Sequence, residues 1–219
     1  MLRLESSRHH AGESKDCTAG RRRARTARIA GAVFVILGLA LAGCEDPAWR
    51  TTDISGVMPE LAFELTDENG RTVRAADYRG QVALLFFGFT NCPDVCPVTL
   101  ANLAKLADDI GAAPDELRIL FVSVDPARDT LSAIKRYTDS FGPRVTGMTG
   151  DPDVLQALTR RYRVTYGYGE EDPSGAYDVS HSSAVFAFDR SGRARLLLRN
   201  SDPPEDLRAD IRRLLAEDA

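Results

Sequence analysis

The chain has 219 residues, 43% apolar and 27% charged, enough for one globular domain of moderate size and too apolar for a disordered chain. Its 14-residue apolar stretch, Ile29 to Ala42, is shorter than the roughly 20 residues a transmembrane helix needs, which excludes a multi-span transporter. The net charge of −4 divides unevenly, with eight basic and three acidic side chains in residues 1–44 and twenty against twenty-nine in the remainder; so acidic a domain repels phosphate backbones, and a basic protein surface is a better partner than nucleic acid.

Arg21 to Arg28 form a basic run, followed by Ile29–Ala42 and then Leu41-Ala42-Gly43-Cys44, the order of a secretory signal. The short apolar core and the small residues before a cysteine resemble the lipobox of bacterial lipoproteins. That resemblance implies cleavage before Cys44, acylation of its sulfur, and a domain held by lipid on the outer, periplasmic side of the cytoplasmic membrane. An uncleaved anchor with Cys44 as an ordinary residue is the alternative. Residues 1–43 are thus expected as leader, 44–57 as a tether without periodicity, and 58–219 as one domain. Cys17, His9 and His10 fall in the leader and receive no function.

Leu61–Leu65 alternates as a strand does, Asp67-Glu68-Asn69-Gly70 supplies a hairpin turn, and Thr72-Val73 returns. Val82–Phe87 is a continuous apolar run suited to a strand buried on both faces. Pro97 opens a helical pattern with Leu100, Leu103, Leu106 and Ile110 on one face. A second buried strand is expected at Ile119–Val124, then a helix with Leu131, Ile134, Thr138 and Phe141, and a short strand near Val145–Met148. A helix with Val154, Leu155, Leu158 and Tyr162 follows, then strands at Ala184–Phe188 and Leu196–Leu198 around the turn Asp189–Gly192. The last helix carries Leu207, Ile211, Leu214 and Leu215 after Pro203-Pro204. This order predicts one α/β domain, a central mixed sheet covered by helices.

Once the leader is set aside, Cys92, Cys96 and His181 are the soft metal ligands of the domain, methionine excepted. The two cysteines stand at i and i+4 where a buried strand passes into a helix, so their sulfurs lie near one face of a helical turn. The partial positive charge of the helix N-terminus is expected to lower the thiol pKa, that of Cys96 in particular. Three intervening residues, one more than in a redox C-x-x-C, leave room for both sulfurs on one ion. A structural disulfide and a catalytic dithiol remain alternatives. His181, 85 residues after Cys96, precedes a buried strand, where α/β sheets gather their sites. Two thiolates and an imidazole suit copper, above all Cu(I). Zinc would need a fourth donor such as the Asp94 carboxylate or a water.

Three segments resemble the Sco/SenC family of membrane-tethered copper chaperones: Phe86 to Pro97, Ser123 to Thr130, and Val179-Ser180-His181-Ser182, in family order over approximately residues 57–217. The resemblance implies a thioredoxin-like fold, with Cys92, Cys96 and His181 as ligands of a copper ion, Cu(I) or Cu(II). It further implies delivery to the binuclear copper centre of cytochrome c oxidase, with the copper-receiving oxidase subunit and another periplasmic copper chaperone as partners. Ser180 departs from the family, where an acidic residue often precedes the histidine. A thiol–disulfide oxidoreductase acting on oxidase cysteines through Cys92 and Cys96, or a copper or redox sensor, are the alternative functions. Asp129, before Thr130 and a helical pattern, reads as a helix-start signal, and Asp151 and Asp153 as caps. For Asp125 and Asp129, partner contact is the competing reading. Tyr162, Tyr166, Tyr168 and Tyr177, with the stretch Gly167–Gly175, suggest a loop over the site or rings packed on the sheet.

Overall fold

Three uninterrupted apolar runs build the centre of the molecule, because strands covered by helices on both faces have no polar side to present. A computed structural model describes residues 48–170 and 179–217; the leader, Cys44 and Tyr177 lie outside the described residues. In chain order the strands and helices are β1 (Thr52–Asp53), β2 (Glu64–Asp67), β3 (Thr72–Arg74), β4 (Val82–Gly88), α1 (Val95–Ile110), β5 (Leu117–Ser123), α2 (Leu131–Asp139), β6 (Val145–Thr149), α3 (Pro152–Arg161), β7 (Tyr166–Tyr168), β8 (Val179–His181), β9 (Val185–Phe188), β10 (Ala194–Leu198) and α4 (Pro204–Ala216). A single 3-10 turn, Ala75–Tyr78, follows β3.

Eight strands form one mixed sheet in the order β1-β10-β9-β4-β5-β6-β2-β3, and β7 pairs with β8 separately. β4, β5 and β6 run parallel, while β9 and β10 return antiparallel on the other side of β4. All seven residues of β4 are buried. Each helix turns its apolar stripe to the sheet: α1 buries Leu100, Leu103 and Leu106, and α4 buries Ile211 and Leu214. This is the thioredoxin-like α/β arrangement. The parallel strands end at Gly88, Ser123 and Thr149, so their carboxyl ends share one edge of the sheet, the edge at which the cysteine motif begins. Among the described residues no helix is long and apolar enough to cross a membrane.

Two expectations shift. The alternation at Leu61–Leu65 belongs to a strand that starts only at Glu64; the Leu61 amide bonds instead to the Gly192 carbonyl at 2.8 Å. The span 44–57 also differs from a tether over its described part. Thr52 and Asp53 pair with Leu197 and Leu196 as the edge strand β1. The buried Asp210 carboxylate accepts the Arg50 amide, the Thr51 amide at 2.7 Å and the Thr51 hydroxyl at 2.8 Å. The Trp49 ring lies 3.9 Å from the Arg213 guanidinium and 5.2 Å from that of Arg195. These partners are 140 residues or more away in sequence, so local periodicity carries no trace of them.

Candidate metal centre

β4 delivers the chain to a loop, Phe89 to Asp94, that turns into α1. The helix starts at Val95, two residues before Pro97, with Asp94 as N-cap but no side-chain capping bond. A helix N-terminus leaves its first amides without intrahelical partners. Here Pro97 has no amide to satisfy, and the Cys96 amide donates to the Cys92 sulfur at 3.3 Å. The positive end of the helix therefore faces Cys92. Cys92 is half-buried, Cys96 fully buried, and both stand as thiols.

That placement overturns one expectation. Burial pushes the Cys96 thiol well above its ordinary value, reinforced by its hydrogen bond with Cys92, and the Phe89 backbone offsets this only in part. Desolvation disfavours the thiolate more than the helix terminus favours it, because that terminus spends its amide on the other sulfur. Gly88 explains how Cys96 lies so deep. A Cβ at this position would stand 2.8 Å from the Cys96 sulfur and 2.8 Å from Cε2 of Phe121. A glycine ending an otherwise wholly apolar strand was the available signal.

The loop is held from the neighbouring strand. The buried Asp129 carboxylate accepts the Thr90 amide at 2.8 Å, the Thr90 hydroxyl at 2.6 Å and the Ser123 hydroxyl at 2.5 Å. Ser123 is the register partner of Gly88. Asp129 is thus not the helix-start residue the sequence suggests: Thr130 caps α2, accepting the Ala133 amide, and Asp129 turns inward. Asp125, also buried, pairs with Arg128 at 2.6 Å, and the Arg128 guanidinium lies 5.9 Å from the Phe89 ring centroid. Asp151 occupies the N-cap position of α3 without a side-chain capping bond, and Asp153 lies in its first turn instead of at a cap.

The segment that carries His181 is held by backbone contacts of its own. The His181 backbone forms the end of β8, opposite Tyr166 of β7. Ser182 donates its amide to Thr165, and the Tyr168 hydroxyl donates to the Val124 carbonyl. Val124 in turn donates its amide to Gly88 at 2.9 Å. The hairpin bearing His181 is therefore tied to the sheet edge where the cysteine loop starts; the His181 side chain lies outside the described residues. Of the tyrosines, Tyr162 is core, ringed by Phe87, Phe186 and Phe188, whereas Tyr166 and Tyr168 form β7 within the expected loop. Among the described residues, which leave out the His181 side chain, no group of three His, Cys, Asp or Glu stands close enough to hold a metal. What the described centre offers is a pair of soft donors, one of them half-buried, on a strand–helix turn.

The SCO1/SenC family model matches residues 57–216. The mitochondrial SCO2 homolog of Bos taurus is 38% identical over 156 residues, covering 70% of this chain and 59% of that protein, so the chain spans under two thirds of that relative. The mitochondrial SCO2 homolog of Mus musculus is 34% identical over 96% of this chain and 86% of its own. Among solved structures, Bradyrhizobium japonicum ScoI with copper bound is 35% identical, with a TM-score of 0.64 over 71% of this chain and 98% of that one.

Proposed function

The chain belongs to the SCO1/SenC family, and from that premise we propose that it binds a copper ion through Cys92, Cys96 and His181 and hands it to the copper-receiving subunit of cytochrome c oxidase. The observation that carries this reading is the Cys92–Cys96 pair on one turn, with the Cys96 amide already directed at the Cys92 sulfur. Two thiolates and an imidazole match the preference of Cu(I) and Cu(II) over harder ions, and a related structure, ScoI of Bradyrhizobium japonicum, holds copper. Ligand thiols must lose their protons, and the charge of a bound cation compensates the burial that holds Cys96 protonated. Transfer would exchange one sulfur at a time for donors of the partner, beginning with the half-buried Cys92. The signal pattern ending in Cys44 supports a lipid anchor that keeps this exchange at the periplasmic face of the membrane. A mature chain starting at Cys44 with added acyl mass would verify the anchor; an intact leader would contradict it.

The same exposure pattern supports a second reading, thiol–disulfide exchange on oxidase cysteines. Cys92 would attack one sulfur of the substrate disulfide and release the other as a thiol. Cys96 would then displace the second, leaving substrate reduced and Cys92–Cys96 oxidised. Oxidase activity in cells at limiting copper, at matched protein levels, separates the two. Copper delivery requires loss with His181→Ala and partial rescue by added copper. Full activity with His181→Ala, combined with failure of Cys92→Ser or Cys96→Ser, would replace delivery by exchange.

A further inference from the structure

α1 and α4 pack against each other, and between them, at the start of α4, lies a cavity of about 170 Å³. None of its described lining residues belongs to the cysteine loop or to the His181 hairpin. Its floor is apolar: Leu103 and Leu106 of α1, Val185 and Leu198 at the paired ends of β9 and β10, and Leu207 of α4. The first four are buried and Leu207 partly so. An aliphatic cavity of about 150 Å³ takes benzene, so this one has room for a single six-membered ring or a chain of similar bulk. The mouth, by contrast, is charged. Lys105, Arg199 and Arg208 stand there with the carboxylates of Asp109 and Asp202. Asp109 serves two cations at once, Lys105 at 2.9 Å and Arg208 at 3.3 Å. Asp202 accepts the Arg199 amide at 2.8 Å. The Arg199 guanidinium donates to the Thr52 hydroxyl at 2.8 Å and has no carboxylate partner among the described residues. Three cations therefore face two carboxylates in a domain with more acidic than basic side chains. Asn200, whose side-chain amide donates to the Thr99 hydroxyl at 2.8 Å, adds a neutral hydrogen-bonding group to the rim.

We propose that this cavity binds a small amphipathic monoanion, with one ring or a short hydrocarbon chain against the leucines and a carboxylate held at the mouth by Arg208 and Arg199. An apolar pocket with a few convergent polar groups at one end is the general form of a small-molecule site. A guanidinium meets a carboxylate through two parallel N–H bonds, and Arg208, two-thirds buried, is shielded from the full screening of water. The excess of positive charge selects an anion over a neutral or cationic molecule of the same shape. Binding here needs neither copper nor free thiols, so the site stands independently of the metal reading.

Benzoate is the probe, with benzyl alcohol and benzylamine as its neutral and cationic counterparts. Titrated into the complete chain, benzoate should shift the methyl NMR signals of Leu106 and Leu198 saturably and raise the melting temperature. Benzyl alcohol should bind about tenfold more weakly, the difference one charge-assisted hydrogen bond makes, and benzylamine should leave the signals unmoved. Arg208→Gln should lower benzoate affinity to that of the alcohol. Leu207→Trp, which fills the cavity from its rim, should abolish the shifts; if that variant does not fold, Arg208→Gln and the three probes still decide. Absence of saturable shifts in the wild-type protein, equal affinity for all three probes, or unchanged benzoate binding in Arg208→Gln would overturn the assignment. So would a concentration-dependent dimer that buries the same methyl groups, since a second copy of the chain would then be the occupant.

Discussion

Asp129 and Thr90, 39 residues apart, are joined by two hydrogen bonds, from the Thr90 amide at 2.8 Å and its hydroxyl at 2.6 Å. Through them the segment between β5 and α2 governs where the Cys92 loop can lie. Asp129→Ala leaves the Thr90 and Ser123 donors without their acceptor in a buried setting and should cost about 2–4 kcal/mol. Asp129→Asn keeps an acceptor oxygen and should cost less. Urea unfolding of the reduced protein measures both; equal, small losses would show the contacts to be incidental.

Gly88→Ala should displace either Cys96 or Phe121, since both lie 2.8 Å from the added carbon. The expected cost is roughly 1–3 kcal/mol, accompanied by faster alkylation of Cys96 as its sulfur is pushed out of the core. A variant of wild-type stability with an unreactive Cys96 would contradict the packing described.

The elements around the site were legible because they are local and periodic. Val82–Phe87 and Ile119–Val124 could only be buried strands, and the Leu100–Leu103–Leu106 stripe could only be the inner face of a helix. The cysteine pair announced itself by spacing. Its electrostatics did not, because the destination of one amide, Cys96 to Cys92, depends on where a loop folds back. Asp129 was misread for a related reason: a carboxylate before a helix looks the same in sequence whether it caps outward or turns into the core. β1 and the Trp49 contacts are invisible to any local window, being made with β10 and α4.

The segment before β1 yields its own expectation. Asp210→Ala removes the acceptor for the Arg50 and Thr51 amides and the Thr51 hydroxyl, so β1 should loosen from β10. Amide hydrogen exchange at Ile54, whose N–H bonds to Arg195 at 2.9 Å, should accelerate well beyond that of β4. Unchanged protection at Ile54 would mean that strand pairing alone holds the segment.

Acid should weaken the fold through Asp67. Burial raises this carboxyl, but the Arg71 amide and guanidinium and the Asn69 amide outweigh it and hold the pKa below its ordinary 3.8. A folded pKa below the unfolded one adds stability that is complete above the unfolded value and lost as pH falls through the folded one. Melting temperature should therefore drop below about pH 4. Asp67→Asn should melt lower at pH 7 and lose less on acidification; parallel curves for the two proteins would refute this contribution.

The proposed copper site draws three side chains, Cys92, Cys96 and His181, from two separate segments. The most direct measurement is the copper content and thiolate-to-copper spectrum of the reduced protein after exposure to copper and removal of excess, in wild type, Cys92→Ser, Cys96→Ser and His181→Ala. One copper per wild-type chain is expected, with loss of stable binding and of the thiolate bands when either cysteine is replaced, and weakened binding with an altered spectrum in His181→Ala while both thiols remain titratable. A wild-type protein that retains no copper, or a His181→Ala protein with wild-type content and spectrum, would contradict the proposed site.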